Sequence, residues 1–187
     1  MSSSLRVVIV SDTHGEVDER IVREAAESDL VVHAGDVGNR RVLEALEPRR
    51  GKLVAVRGNN DVREKWCASE WEFLESLPWE ARLDLPGGEL VVVHGHGYGY
   101  PGRNHHRMRR DYPQARLVVY GHSHLECADR AELPWVLNPG AAGRVRTHGG
   151  PSYTLLTASE ARWEMETRRL APPEKRSPSA RRRGAKP

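Results

Sequence analysis

Leu5-Arg6-Val7-Val8-Ile9-Val10-Ser11-Asp12-Thr13-His14 carries the apolar run Val7 to Val10 and then stops abruptly in a carboxylate and an imidazole. Continuous rather than alternating apolarity marks a strand covered on both faces. The pattern recurs along the chain. Leu30 to Val32 leads to Gly35-Asp36, Leu53 to Val56 to Gly58-Asn59-Asn60-Asp61, Leu90 to Val93 to His94-Gly95-His96, and Leu117 to Tyr120 to Gly121-His122-Ser123-His124. Each buried strand thus ends in side chains able to bind a metal, at the edge where open α/β sheets hold their ligands.

Between these runs, Glu16 to Ser28 carries Val17, Ile21 and Ala25 at intervals of four, and Arg41 to Leu46 is similarly mixed. Both segments read as helices packed on a sheet. Cys67, Trp71 and Leu74 fall at helical spacing within Val62 to Leu77, and Pro78 supplies a stop, which predicts an amphipathic helix. Leu83 to Leu85 and Glu89 to Val93 flank Pro86-Gly87-Gly88, the signature of a hairpin. Tyr153 to Thr157 and Arg162 to Thr167 form a further expected strand pair.

Of the 187 residues, 38% are hydrophobic and 29% charged, which excludes a fibrous or wholly disordered chain. No apolar run approaches the roughly 20 residues of a membrane span. Arg6 and Asp12 break up any signal-peptide core, so the expected location is cytoplasmic. In that reducing compartment Cys67 and Cys127 are expected as thiols, with burial expected for Cys127. The net charge of +3 is concentrated at one end, because residues 172–187 hold six Lys or Arg against one Glu. Residues 1–171 are expected to form one domain and residues 172–187 a disordered basic tail, being rich in Pro, Ser, Arg and Lys and poor in anything to bury.

In an extended segment, residues two apart point the same way, so Asp12 with His14 and His122 with His124 can each present two ligands to one centre. Mixed imidazole and carboxylate donors suit manganese, iron, zinc, cobalt or nickel rather than calcium, and the motifs lack the thiolates of a structural zinc site. Taken singly, each motif is also what an ordinary turn would show. Five of them in order behind five strands point to two divalent ions.

With these motifs the chain resembles the calcineurin-like metallophosphoesterases, in particular their small single-domain bacterial and archaeal phosphodiesterases, over about residues 5–170. The resemblance implies a four-layer α/β/β/α sandwich of two mixed sheets flanked by helices, with a dinuclear site at the C-terminal ends of strands. It implies that Asp12, His14, Asp36 and His124 hold one ion, with Asp36 bridging, and that Asn59, His94 and His122 hold the second. Manganese heads the expected metals. Asn138-Pro139-Gly140-Ala141 looks like the family's Asn-Pro-Gly-Ser turn, with alanine for serine. Asn60 stands where many members have a histidine that assists the phosphate, and Asp61 keeps the neighbouring acidic position.

Two cations about 3.5–4 Å apart activate a bridging water for in-line displacement. The expected reaction is therefore hydrolysis of a small phosphodiester or phosphomonoester by that bridging hydroxide. Asp36, Asn60, Asp61 and His96 are the candidate catalytic residues, with His96 offered as the proton donor to the leaving group or as a partner orienting a ligand. A basic stretch between Tyr98 and Tyr112, with Arg103, His105, His106, Arg107, Arg109 and Arg110, could form a phosphate-receiving rim or a solvated helix face. Two other readings stand beside the enzyme. The retromer scaffold subunit shares the fold but has lost metal-site residues and binds proteins, whereas all seven ligand positions are filled here. The basic tail could hold nucleic acid electrostatically. Oligomerisation is left open.

Overall fold

The computed structural model describes residues 4–172, apart from residues 50, 100–103 and 145. The expected basic tail lies outside these residues except for Pro172, as does Arg103. Ten strands are present among them: β1 (Leu5–Val10), β2 (Leu30–His33), β3 (Lys52–Ala55), β4 (Glu80–Leu85), β5 (Gly88–Val93), β6 (Leu117–Val119), β7 (Cys127–Asp129), β8 (Trp135–Asn138), β9 (Ser152–Ala158) and β10 (Trp163–Arg169). Four α-helices join them: α1 (Glu19–Ala26), α2 (Arg40–Leu46), α3 (Trp71–Ser76) and α4 (His105–Asp111).

The strands form two five-stranded sheets, in orders β10-β9-β1-β2-β3 and β4-β5-β6-β8-β7. Both are mixed: β1 runs parallel to β2 and antiparallel to β9, and β6 runs parallel to β5 and β8 while β7 is antiparallel. Side-chain alternation along each central strand then builds the layers. Val7 and Ile9 point between the sheets with Val32, Leu90, Val92 and Leu137, forming the inner core. Val8 and Val10 point the other way, against Ile21, Ala25, Leu43 and Leu46 on α1 and α2. Val91 and Val118 pack on Met108 of α4. This is the α/β/β/α sandwich that the family resemblance implies. Asp18 caps α1 by accepting a hydrogen bond from Arg20 N at 2.9 Å, a contact whose loss costs about 1 kcal/mol.

One expected helix is different in kind. Residues 62–77 hold two single-turn 3-10 helices, Arg63–Lys65 and Ala68–Glu70, before the six-residue α3. The chain is bent there because the Trp66 indole turns in to donate to Asp61 Oδ1 at 3.2 Å, while the Trp71 indole donates to the carbonyls of Arg63 and Trp66. Those inward contacts break the single amphipathic stripe. The expected hairpin is present, with Leu85 opposite Gly88 across Pro86-Gly87.

Candidate metal centre

The loops after β1 and β2 run side by side beyond the sheet, joined by Asp12 N→Gly35 O (3.0 Å), His14 N→Asp36 O (2.9 Å) and Gly15 N→Val37 O (2.8 Å). Gly121 N→His94 O (3.0 Å) and Ala142 N→Ser11 O (2.8 Å) tie in the loops of the second sheet. Asp12, His14, Asp36, His122 and His124 all have positive φ, between 48° and 70°. The extended-backbone argument for paired ligands is therefore wrong in its geometry. Left-handed turns, not extended segments, bring the side chains together. Non-glycine residues in this region cost about 1–2 kcal/mol each, and five together mark a place where strain is held for a purpose.

Glycine is required where these loops touch. A Cβ at Gly58 would overlap Asp36 N and Oδ1, and one at Gly121 would overlap Ser11 Oγ.

The donor atoms converge in two groups. Ligand atoms of Asp12, His14 and His124 lie within 4.8 Å of one another, as do those of Asp12, Asp36 and His94. Asp36 Oδ2 is 3.7 Å from His14 Nε2 and 3.3 Å from His94 Nε2, so it faces both groups. His94 Nδ1 donates to Ala34 O at 2.8 Å, which fixes the ring and aims Nε2 at the cluster. The His122 ring stands edge-on to His94 with centroids 5.4 Å apart. Asp12 Oδ1 and His94 Nε2 are buried without a well-aligned hydrogen bond, each 3.3 Å from a neighbour of the cluster, His124 Nε2 and Asp36 Oδ2 respectively. Since buried polar atoms are rarely left so, these two orphans aimed into a ring of carboxylates and imidazoles fit divalent ions.

The two asparagines differ in their surroundings. Asn59 is exposed. It is Asn60 that meets Asp36, donating from N to Oδ1 at 2.8 Å and from Nδ2 to Oδ2 at 2.6 Å, while its own Oδ1 accepts from Lys65 Nζ. Asp61 is fully buried and accepts from Val37 N (3.1 Å), Gly38 N (2.9 Å), Gly58 N (2.8 Å) and the Trp66 indole (3.2 Å). With four donors on two oxygens it braces the loops after β2 and β3. His96 lies at the rim, exposed, its ring centroid 5.8 Å from that of His94 and 6.3 Å from that of His122.

Burial pushes the Asp12 carboxyl up to about 7, against the opposing pull of His94 and the Ser11 hydroxyl. Burial acts in the same sense on Asp36, but the His94 contact and the two Asn60 donors outweigh it and hold Asp36 well below the usual carboxylate range. Burial lowers His14, His96 and His122, leaving neutral imidazoles with lone pairs to offer. His94 is instead raised, because contact with Asp36 and the charges of Asp12 and Asp36 overcome its burial.

Two contributors, His33 and Arg146, escaped sequence reasoning, and Asn138, read only as the start of a turn, holds a ligand loop. His33 is buried inside β2, accepting from Gly35 N at Nδ1 (3.2 Å) and lying 2.9 Å from Thr13 Oγ1 at Nε2; burial pushes its pKa down to about 3. Asn138 donates to Gly121 O (2.8 Å) and Ser123 Oγ (3.0 Å), fixing the His122–His124 loop. Arg146, also at positive φ, brings Nη2 to 3.2 Å from His124 Nε2, with no carboxylate in ion-pair distance of it among the described residues. No motif announces Arg146. The basic rim, by contrast, is spent elsewhere: Arg109 pairs with Asp129 (2.8 Å), Arg110 with Asp111, His105 with Asp129 and Tyr120, and Arg107 lies over the Tyr98 ring. Cys67 is exposed and Cys127 half-buried, both as free thiols.

Two mixed sheets in a four-layer sandwich, with an Asp/His cluster at the strand ends, define a metal-binding protein of the two-sheet phosphoesterase type. More particularly, the chain belongs to the calcineurin-like phosphoesterase superfamily, whose domain model matches residues 5–161. It is 29% identical to the probable metallophosphoesterase YsnB of Bacillus subtilis over 157 residues, covering 82% of this chain and 84% of that protein. Identity is also 29% to the phosphodiesterase YfcE of Escherichia coli K12 over 177 residues, covering 81% and 87%. Vacuolar Protein Sorting 29 from Cryptosporidium parvum shares the fold, with a TM-score of 0.68 at 16% identity over 90% of this chain and 98% of that one.

Proposed function

We propose that this phosphoesterase is a dinuclear phosphodiesterase, acting on a phosphate ester in a reducing compartment such as the cytoplasm. The observation that carries the reading is the pair of orphaned buried atoms, Asp12 Oδ1 and His94 Nε2, within two overlapping ligand groups. Asp12, His14, Asp36 and His124 would hold one ion and Asn59, His94 and His122 the other, with Asp36 facing both and manganese the first candidate. When bound, such ions polarise a phosphoryl oxygen and make water acidic enough to supply the nucleophile.

The chain's own groups do the rest. His94 and Asn60 hold Asp36 ionised, and Lys65 donates to Asn60 and holds it in place. Arg146, unpaired by any described carboxylate, would take a non-bridging phosphate oxygen, a charge-assisted bond suited to a guanidinium. His96 stands at the rim within reach of the leaving group, though its lowered pKa leaves it neutral at pH 7, so it relays a proton rather than storing one. With Asn60 rather than histidine beside Asp36, no charged imidazole is available from that loop, which favours diesters with good leaving groups.

Metal-stripped chain with Mn, Co, Ni, Zn or Mg restored should hydrolyse bis(p-nitrophenyl) phosphate faster than p-nitrophenyl phosphate. Ion binding without turnover of either ester would displace the enzymatic reading in favour of a protein-binding scaffold.

A further inference from the structure

Beyond the ligand cluster, one large side chain is fixed in the open. Trp79 is 53% exposed, in a chain whose other indoles are buried or partly so. It lies just before β4, whose first residue, Glu80, pairs with Val93, the last residue of β5, and His94 follows directly on that strand. The ring sits 5.8 Å from His96, tilted by 54°, and His96 is in turn 5.8 Å from His94. Two ring-to-ring steps therefore lead from a proposed metal ligand to an open indole.

The indole is braced as well as exposed. Arg57 Cζ lies 4.9 Å from the ring centroid, and Arg57 Nε donates to Asp61 O at 2.7 Å, so the support is tied to the loop of Asn59 and Asn60. Arg57 N also donates to Pro78 O at 2.7 Å, holding the residue before Trp79. A pre-set aromatic surface offers stacking without an ordering cost, which is how single-stranded nucleic-acid sites use tryptophan. Arg57 and His96 flank it with hydrogen-bond donors for the polar edge of a flat ring. An alkyl or glycerol group would find nothing there to match the π face.

We propose that Trp79, with His96 and Arg57 beside it, is a stacking subsite for the nucleobase of a nucleoside phosphodiester whose phosphate is taken by the metal centre. The assignment rests on the reading of that centre as a phosphodiesterase site, and it makes Trp79 a specificity residue. Stacking of a base on an aromatic side chain is worth about ten-fold in binding, within a range of several-fold to more than a hundred-fold.

The test compares two esters with the same leaving group, thymidine 5′-(p-nitrophenyl phosphate) and ethyl p-nitrophenyl phosphate, on Mn-loaded wild type, Trp79→Ala and Trp79→Phe. The expected result is a lower KM for the nucleoside ester in wild type, with that preference falling about ten-fold in Trp79→Ala, returning in Trp79→Phe, and kcat for the nucleoside ester holding within about two-fold. Equal KM values in wild type, or a preference that survives Trp79→Ala, overturns the subsite while leaving the phosphodiesterase intact. If wild type turns over neither ester, the phosphodiesterase reading itself has failed. Calorimetric binding of thymidine 5′-monophosphate against ethyl phosphate then reads the subsite alone: a preference of about ten-fold lost in Trp79→Ala upholds it, and equal affinities sink it.

Discussion

Replacing Asp61 with alanine should destabilise the fold severely even with every divalent ion removed. The carboxylate is fully buried and accepts from three backbone amides and one indole, from the loop after β2, the loop after β3 and the 3-10 segment that follows. Alanine leaves four buried donors without an acceptor. At the lower bound of about 1 kcal/mol per orphaned donor, the loss is about 4 kcal/mol. For a domain of this size that corresponds to a fall in Tm of about 8–16 °C. Asparagine should not rescue it, since one of its two ends presents N–H groups to donors already there. Urea unfolding in EDTA, comparing wild type, Asp61→Ala and Asp61→Asn, provides the measurement. Stability within about 1 kcal/mol of wild type, with activity alone lost, would refute the bracing role and return Asp61 to the chemistry.

Three further outcomes follow from named contacts. Arg146→Ala should lower kcat/KM for a phosphodiester by about 10- to 150-fold, the value of one hydrogen bond to a charged group, whereas an effect under two-fold in steady-state kinetics would remove it from substrate binding. Mn2+ binding at pH 7 should release protons, because Asp12, at about 7, holds one in part of the ion-free chains, and the upward shift of His94 acts in the same sense; affinity then rises with pH by up to about ten-fold per unit for each proton released. Calorimetry in buffers of different ionisation enthalpy would expose the alternative, binding with no proton release. His33 has its pKa depressed to about 3, so the folded chain binds fewer protons than the unfolded one below pH 6.5. Its contribution is lost as pH falls from 6.5 towards 3, at up to about 1.4 kcal/mol per unit. In ion-free urea titrations between pH 7 and 5, His33→Gln should show a correspondingly shallower acid loss; an unchanged slope would mean that His33 is protonated in the fold.

The strands were legible because each central one is apolar on both faces, and residues such as Val7 and Val8 fill different cores. β7 and β8 were not. Cys127-Ala128-Asp129 is too short and too polar to stand out, and it pairs only along the edge with β8. The 62–77 segment misled because Cys67, Trp71 and Leu74 fall at helical spacing while only Trp71 and Leu74 share α3 and Cys67 precedes a separate 3-10 turn. Asp12, His14, Asp36, His94, His122 and His124 could be picked out from their places behind strands, but the left-handed backbone of all of them except His94 could not, since nothing in Asp or His demands positive φ. Arg146 was invisible for a related reason: it reaches His124 across 22 residues of sequence, from beyond β7 and β8.

The most direct test of the dinuclear centre is the ion stoichiometry of the purified chain, by equilibrium dialysis against Mn2+ with metal analysis, in wild type and in Asp36→Asn. Two ions per wild-type chain, with loss of tight binding at both positions when Asp36 is neutralised, is the expected result. One ion per chain, none, or two retained in Asp36→Asn would contradict a centre in which Asp36 serves both sides.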